Sequence, residues 1–137
     1  MLNPTRIYCD PVVDLLEAAR GEAPFTIASI HGICHITGGG LSNLLRLHPS
    51  LGWNIHSPLP VLPEFVWLQH AGGVEDREMY RTFNMGMGMV LAVAAKDADD
   101  VLAWLQQRMT GVAIVGHVTD DGHCVKHALE GVEFTHY

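Results

Sequence analysis

The chain has 137 residues, 48% of them hydrophobic and 17% charged, which suits one domain with a real core and excludes a disordered chain. Its formal charge is −7, with 8 Lys and Arg against 15 Asp and Glu, so a phosphate backbone is repelled, nucleic acid is not an expected partner, and any anionic ligand must be held locally. Three widely spaced cysteines, Cys9, Cys34 and Cys124, predict reduced thiols in a cytoplasmic protein rather than a disulfide framework, and the absence of a long apolar run or an apolar leader predicts neither membrane span nor signal peptide.

Pro4 and Pro11 bracket a short extended lead-in. Asp10 is placed to cap a helix with Pro11 at its first position, carried by Val12, Val13, Leu15, Leu16 and Ala19 and ended by Gly21. Phe25 to Thr37 alternates with small or apolar residues on both faces, which predicts a strand buried on both sides. Gly38, Gly39 and Gly40 follow, and Leu41, Leu44, Leu45 and Leu47 mark a short amphipathic helix ended by Pro49 and Gly52.

Trp53 to Pro63 carries three prolines and reads as an irregular connection with at most one short edge strand. Glu64 to His70 reads as a helix broken by Gly72 and Gly73. Val74 to Phe83 is a second helical segment, with Glu75 and Asp76 in its first turn, where the dipole favours acids. Met85 to Ala94 is a predicted strand, Asp97 to Arg108 an amphipathic helix, and Ala113 to Val118 a strand. Asp120, Asp121 and Gly122 form a turn into a last strand, Cys124 to Ala128, expected to pair with the one before it, the tail extending it. No repeat or low-complexity segment is present. Helices mixed with strand pairs, without regular alternation, predict an α+β fold. A mainly antiparallel or mixed sheet of about four to five strands would be covered by helices in a single domain over residues 1–137.

Two segments carry chemistry. In HITGGGLSN, His35 to Asn43, glycines between strand and helix let N–H groups of the backbone crowd together beside a helix start, which suits phosphate. Thr37 adds a hydroxyl and Asn43 an amide. A tight turn that needs glycine for positive φ explains the same residues. In EMYRTFNMGMGM, Glu78 to Met89, Arg81 is one of few cations, Asn84 lies where helix yields to strand, and Gly86 and Gly88 admit a close neighbour. Helix–strand packing with a surface ion pair at Arg81 is the alternative. The histidines form two groups, His31 with Cys34 and His35, and His117 with His123, Cys124 and His127. Neither contains a C-x-x-C pair, so partly buried histidines are favoured over zinc and no metal site is assigned. No G-x-S-x-G, H-E-x-x-H or Walker A pattern is present, and no catalytic residue is identified.

The order PTRIY (Pro4 to Tyr8), HGICHITGGGL (His31 to Leu41), FVWLQ (Phe65 to Gln69), VEDREMYRTFNMGMGMVLAV (Val74 to Val93) and IVGHV (Ile114 to Val118) resembles the C-terminal half of the aminoimidazole ribonucleotide (AIR) synthetases. That resemblance implies an AIR synthase-related C-terminal domain and an ATP-dependent ligase of purine biosynthesis. ATP would activate the formyl amide oxygen of formylglycinamidine ribonucleotide as an iminophosphate, and intramolecular attack by nitrogen would close the imidazole ring. ATP and Mg are the implied cofactors, neither expected to bind tightly here, because the family's ATP-binding segment belongs mainly to an N-terminal domain that this sequence lacks. The chain alone is therefore expected to be inactive. Its expected partners are a second copy, as a homodimer, or a separately encoded N-terminal ATP-binding domain, with a ribonucleotide as the small-molecule ligand. Expected ligand-side residues are His35, Thr37, Gly38, Gly39, Gly40, Asn43, Arg81, Asn84, Gly86 and Gly88. The alternative is a stand-alone phosphate- or ribonucleotide-binding or dimerisation module without catalysis.

Overall fold

The computed structural model describes residues 6–137, so Pro4 lies outside the described residues. In chain order the elements are α1 (Cys9–Ala18), β1 (Ile30–His35), β2 (Gly52–Ile55), α2 (Pro63–Gly72), α3 (Asp76–Thr82), β3 (Met89–Val93), α4 (Ala98–Gln106), β4 (His117–Thr119), β5 (Val125–His127) and β6 (Glu133–Phe134). Short 3₁₀ segments occupy Ile27–Ser29, Gly40–Arg46 and Ala95–Asp97. This is the α+β arrangement expected, with the strands divided between a pair, β1–β3, and a four-stranded mixed sheet in the order β4-β2-β5-β6. None of the helices described is long and apolar enough to cross a membrane.

The described chain divides into two compact units. One takes the residues up to Gly32 together with Leu91–Ile114. Its core is Leu15 and Ala19 from the end of α1, Phe25, and Val101 and Leu105 from α4, with Leu91, Val93 and Trp104 packed against them. The helical spacing of Leu15 and Ala19, and of Val101 and Leu105, puts each pair on one face. The Trp104 ring meets Phe25 edge-on at 6.3 Å. α1 begins at Cys9 without a side-chain cap, so Asp10 lies inside its first turn rather than capping it.

The other unit takes Ile33–Val90 and Val115–Tyr137 and holds the four-stranded sheet. β2 is an inner strand rather than an edge. It pairs antiparallel with β4 (Trp53↔Val118) and parallel with β5 (Trp53↔Val125). Prolines 58, 60 and 63 all fall beyond Ile55, so they do not interrupt the ladder. Gly52 and Gly116 let the strands close up: a Cβ at Gly52 would lie 2.5 Å from Thr119 Oγ1, and one at Gly116 would lie 1.9 Å from Asn54 O. β2 thus separates β4 from β5. The expected hairpin between those two strands does not form, and β5 instead pairs antiparallel with β6, the tail strand.

Two other expectations shift. The Phe25–Thr37 segment becomes a 3₁₀ turn followed by β1, and β1 is not buried on both faces: only Cys34 is buried, with His31 and His35 exposed. A two-stranded ribbon has too few neighbours to cover both faces. The segment from Met85 turns before it extends. Met85 (φ 47) and Gly86 (φ 100) are left-handed, and the regular strand starts at Met89.

Candidate functional site

The glycine run is braced from beneath by its own helix. Asn43, buried, donates through Nδ2 to Gly38 O (3.2 Å) and Gly40 O (2.7 Å). Ser42 Oγ donates to Gly39 O at 2.6 Å. The three carbonyls, whose lone pairs would repel an anion, are therefore occupied by donors of the following turn. Gly40 N–H closes the turn onto Thr37 O at 3.0 Å. Among the described residues, the N–H groups of Gly38 and Gly39 have no partner within the fold. Gly38 is exposed and Gly39 half-buried.

The glycines differ in what they require. Gly39 (φ 98) and Gly40 (φ 53) are left-handed, and a Cβ on Gly40 would lie 2.0 Å from Tyr80 O and 2.8 Å from Arg81 C. Gly38 has open space around it. The contact at Gly40 seats the turn directly on the α3 backbone. A second tie joins the same two segments, since Ile36 N–H donates to Gly88 O at 2.9 Å. His35–Gly40 and Tyr80–Gly88 are thus neighbours.

Within the second segment, Asn84 Oδ1 accepts the Gly86 N–H at 3.0 Å, and Asn84 O accepts the Met87 N–H at 2.9 Å. Asn84 shapes the left-handed turn. Gly86 admits Pro60, whose carbonyl oxygen would lie 2.5 Å from a Cβ there. Arg81 pairs with Glu78 at 3.7 Å, both side chains more than half exposed, a contact that holds it loosely.

Arg46 is the cation that the sequence pattern did not single out. It ends the 3₁₀ segment that begins at Gly40. Its guanidinium lies 4.9 Å from the Tyr137 ring centroid, and Nη1 is 3.5 Å from both Asn43 Oδ1 and Tyr137 OH. No carboxylate among the described residues pairs with it. The Tyr137 ring borders Gly39, with Cε2 3.2 Å from where a Cβ would stand. The sequence signal was the spacing of Arg46 three residues after Asn43, one turn along the same helical segment. Tyr137 gave no such signal, because its contact is long-range.

Burial raises the Cys34 thiol above its ordinary value, and the Arg46 charge opposes the rise, so Cys34 stays protonated and is a poor nucleophile at neutral pH. Burial, with the Asp76 charge second, likewise raises the Tyr80 hydroxyl. Two histidines of the second group have partners within the fold: His123 Nε2 lies 3.0 Å from Leu45 O, and His127 Nδ1 accepts the Leu129 N–H at 3.0 Å with its ring 4.4 Å from that of Tyr80. Among the described residues no group of three or more His, Cys, Asp or Glu is placed to hold a metal ion. What the arrangement offers an anion is the N–H groups of Gly38 and Gly39, without a partner among the described residues, and the Arg46 guanidinium.

Comparison with known proteins agrees on one family. Residues 4–127 match the family described as AIR synthase related protein, C-terminal domain. A phosphoribosylformylglycinamidine cyclo-ligase of Methanothermobacter thermautotrophicus is 41% identical over 122 residues, covering 89% of this chain and 32% of that protein. A protein of the same name from Trichlorobacter lovleyi is 46% identical over 123 residues, covering 86% of this chain and 32% of its own length. One from Methanosarcina barkeri is 42% identical over 126 residues, covering 92% and 33%. The chain spans about a third of the length of these relatives.

Proposed function

The chain belongs to the AIR synthase related family through its C-terminal domain, and from that premise we propose that it is the C-terminal part of an ATP-dependent phosphoribosylformylglycinamidine cyclo-ligase of the cytoplasm. Its share of the work is to hold the phosphate of the ribonucleotide at Gly38 and Gly39. ATP with its Mg²⁺ is handled by the rest of the enzyme, so the chain by itself binds without turning over.

One observation carries this reading: the carbonyls of Gly38, Gly39 and Gly40 are tied inward by Ser42 and Asn43 while Arg46, paired with no carboxylate among the described residues, stands beside them. A guanidinium and backbone N–H groups together give short, charge-assisted bonds to phosphate oxygens. In this arrangement Arg46, Gly38 and Gly39 bind, Tyr137 walls the site, and Thr37 offers a hydroxyl at the exposed lip. Asn43, Asn84, Gly40 and Gly86 hold the geometry. Fixing the ribonucleotide by its phosphate leaves the formylglycinamidine end to be presented to the ATP-bearing part, where proximity speeds ring closure.

Calorimetric titration of the chain with formylglycinamidine ribonucleotide tests it. Binding is expected, and Arg46→Gln should weaken it about tenfold, a loss of about 1.4 kcal/mol. Absence of heat with the unaltered chain rejects the phosphate site. The alternative reading is a phosphate- or ribonucleotide-binding module without catalysis. Cyclo-ligase activity on adding the remaining region of a relative separates it from the enzyme reading.

A further inference from the structure

The middle turn of α2 is apolar on every side, and no residue of the helix is buried. Phe65, Val66, Trp67 and Leu68 occupy four successive positions, about 100° apart, so they cover the whole circumference. Helices of that kind belong inside a protein, yet none of the ten residues of α2 is buried. One side is anchored, by the Phe65 ring on Phe83 at 5.5 Å and by Gln69 Nε2 donating to Asp76 Oδ1 at 2.6 Å. The rest is uncovered: Trp67 is 68% exposed, and Leu62, Val66 and Leu68 are 40% or more exposed.

The size of the patch selects its occupant. A ten-residue helix is about 15 Å long, and one face of it falls well short of the roughly 800 Å² per partner found in stable free-standing interfaces. A second copy meeting this one through α2 alone would be held weakly. A surface within the same polypeptide needs far less area, because covalent linkage sets a high effective concentration. The curated relatives have chain to provide one, since the matched region is only 32% of the Methanothermobacter protein.

We propose that the uncovered side of α2, centred on Trp67, is the docking face for the remaining region of a cyclo-ligase, which presents a complementary apolar patch. The proposal rests on the reading of this chain as the C-terminal part of that enzyme. An exposed tryptophan flanked by aliphatic side chains is the composition of an interface anchor.

The test is a full-length Methanothermobacter relative in which this chain replaces the matched region. Hydrogen exchange of residues 62–72 should be about tenfold or more slower there than in the chain alone, and Trp67→Glu should restore the fast rate. Equal rates in the two settings overturn the proposal. Should the chimera fail to fold, this chain is co-expressed with the remaining region as a separate polypeptide. Co-purification that Trp67→Glu abolishes supports the proposal, and no co-purification of the unaltered chain overturns it. A dimer of the chain alone, seen by sedimentation and lost in Trp67→Glu, assigns the face to a second copy and also overturns it. Because Trp67 is not among the phosphate-holding residues, failure of the ribonucleotide site is read separately in the Arg46→Gln titration.

Discussion

At Gly40 the backbone of the turn touches the backbone of α3 so closely that a single methyl group has nowhere to go. Gly40→Ala is expected to cost about 3 kcal/mol from overpacking, on top of a left-handed φ. Gly38→Ala, in open space, should stay within about 0.5 kcal/mol of the parent. Urea unfolding of the two variants checks the pair, and equal effects would show that the turn does not rest on the α3 backbone at Gly40. His127 offers a second test. Burial holds its imidazole below its ordinary value, and Nε2 is buried without a partner among the described residues. The unfolded chain therefore takes up its proton before the folded one does. The stability tied to neutral His127 is complete above the ordinary imidazole value of about 6.5 and is lost as pH falls through the lower folded value. Urea midpoints should drop between pH 7.5 and pH 5 less steeply in His127→Gln than in the parent.

At the scale of elements, the helices were easier to foresee than the strands. α2 and α4 lie within a few residues of expectation because punctuation sits in their own sequence: Pro63 at the start of α2, and Gly73 (φ 60) at its end. α1 and α4 present Leu15, Val101 and Leu105 to one core, and Leu15 is fully buried. Leu15→Ala should cost about 3 kcal/mol, readable as a lowered melting temperature. The strands moved because pairing is not written locally. β2 took the inner place that its following prolines seemed to forbid, and β5 left β4 for β2 and β6. The glycines at 52 and 116 were the local trace of that packing, but nothing near them in sequence names the strand that comes close.

At the scale of the whole molecule, charge and shape act in opposite senses. A net charge of −7 repels polyanions over about a Debye length, whereas at the proposed site a single phosphate would meet the local field of Arg46 and the glycine amides. No gel shift of duplex DNA is expected at about 0.15 M salt, and appearance of one would show that the basic groups form a larger patch than Arg46 alone. The sequence by itself determined the family and the α+β class and marked out the Thr37–Gly40 and Arg81–Gly88 segments, because glycine runs and helix punctuation are local and keep their meaning out of context. Only the tertiary structure decided that these segments touch at Gly40 and Gly88, that Asn43 braces the turn from within, and that the Arg46 guanidinium reaches Asn43 and Tyr137 beside it. It also decided which strands are neighbours. Those outcomes depend on contacts between residues far apart in the chain, where each partner is chosen by space and burial and not by the residues beside it.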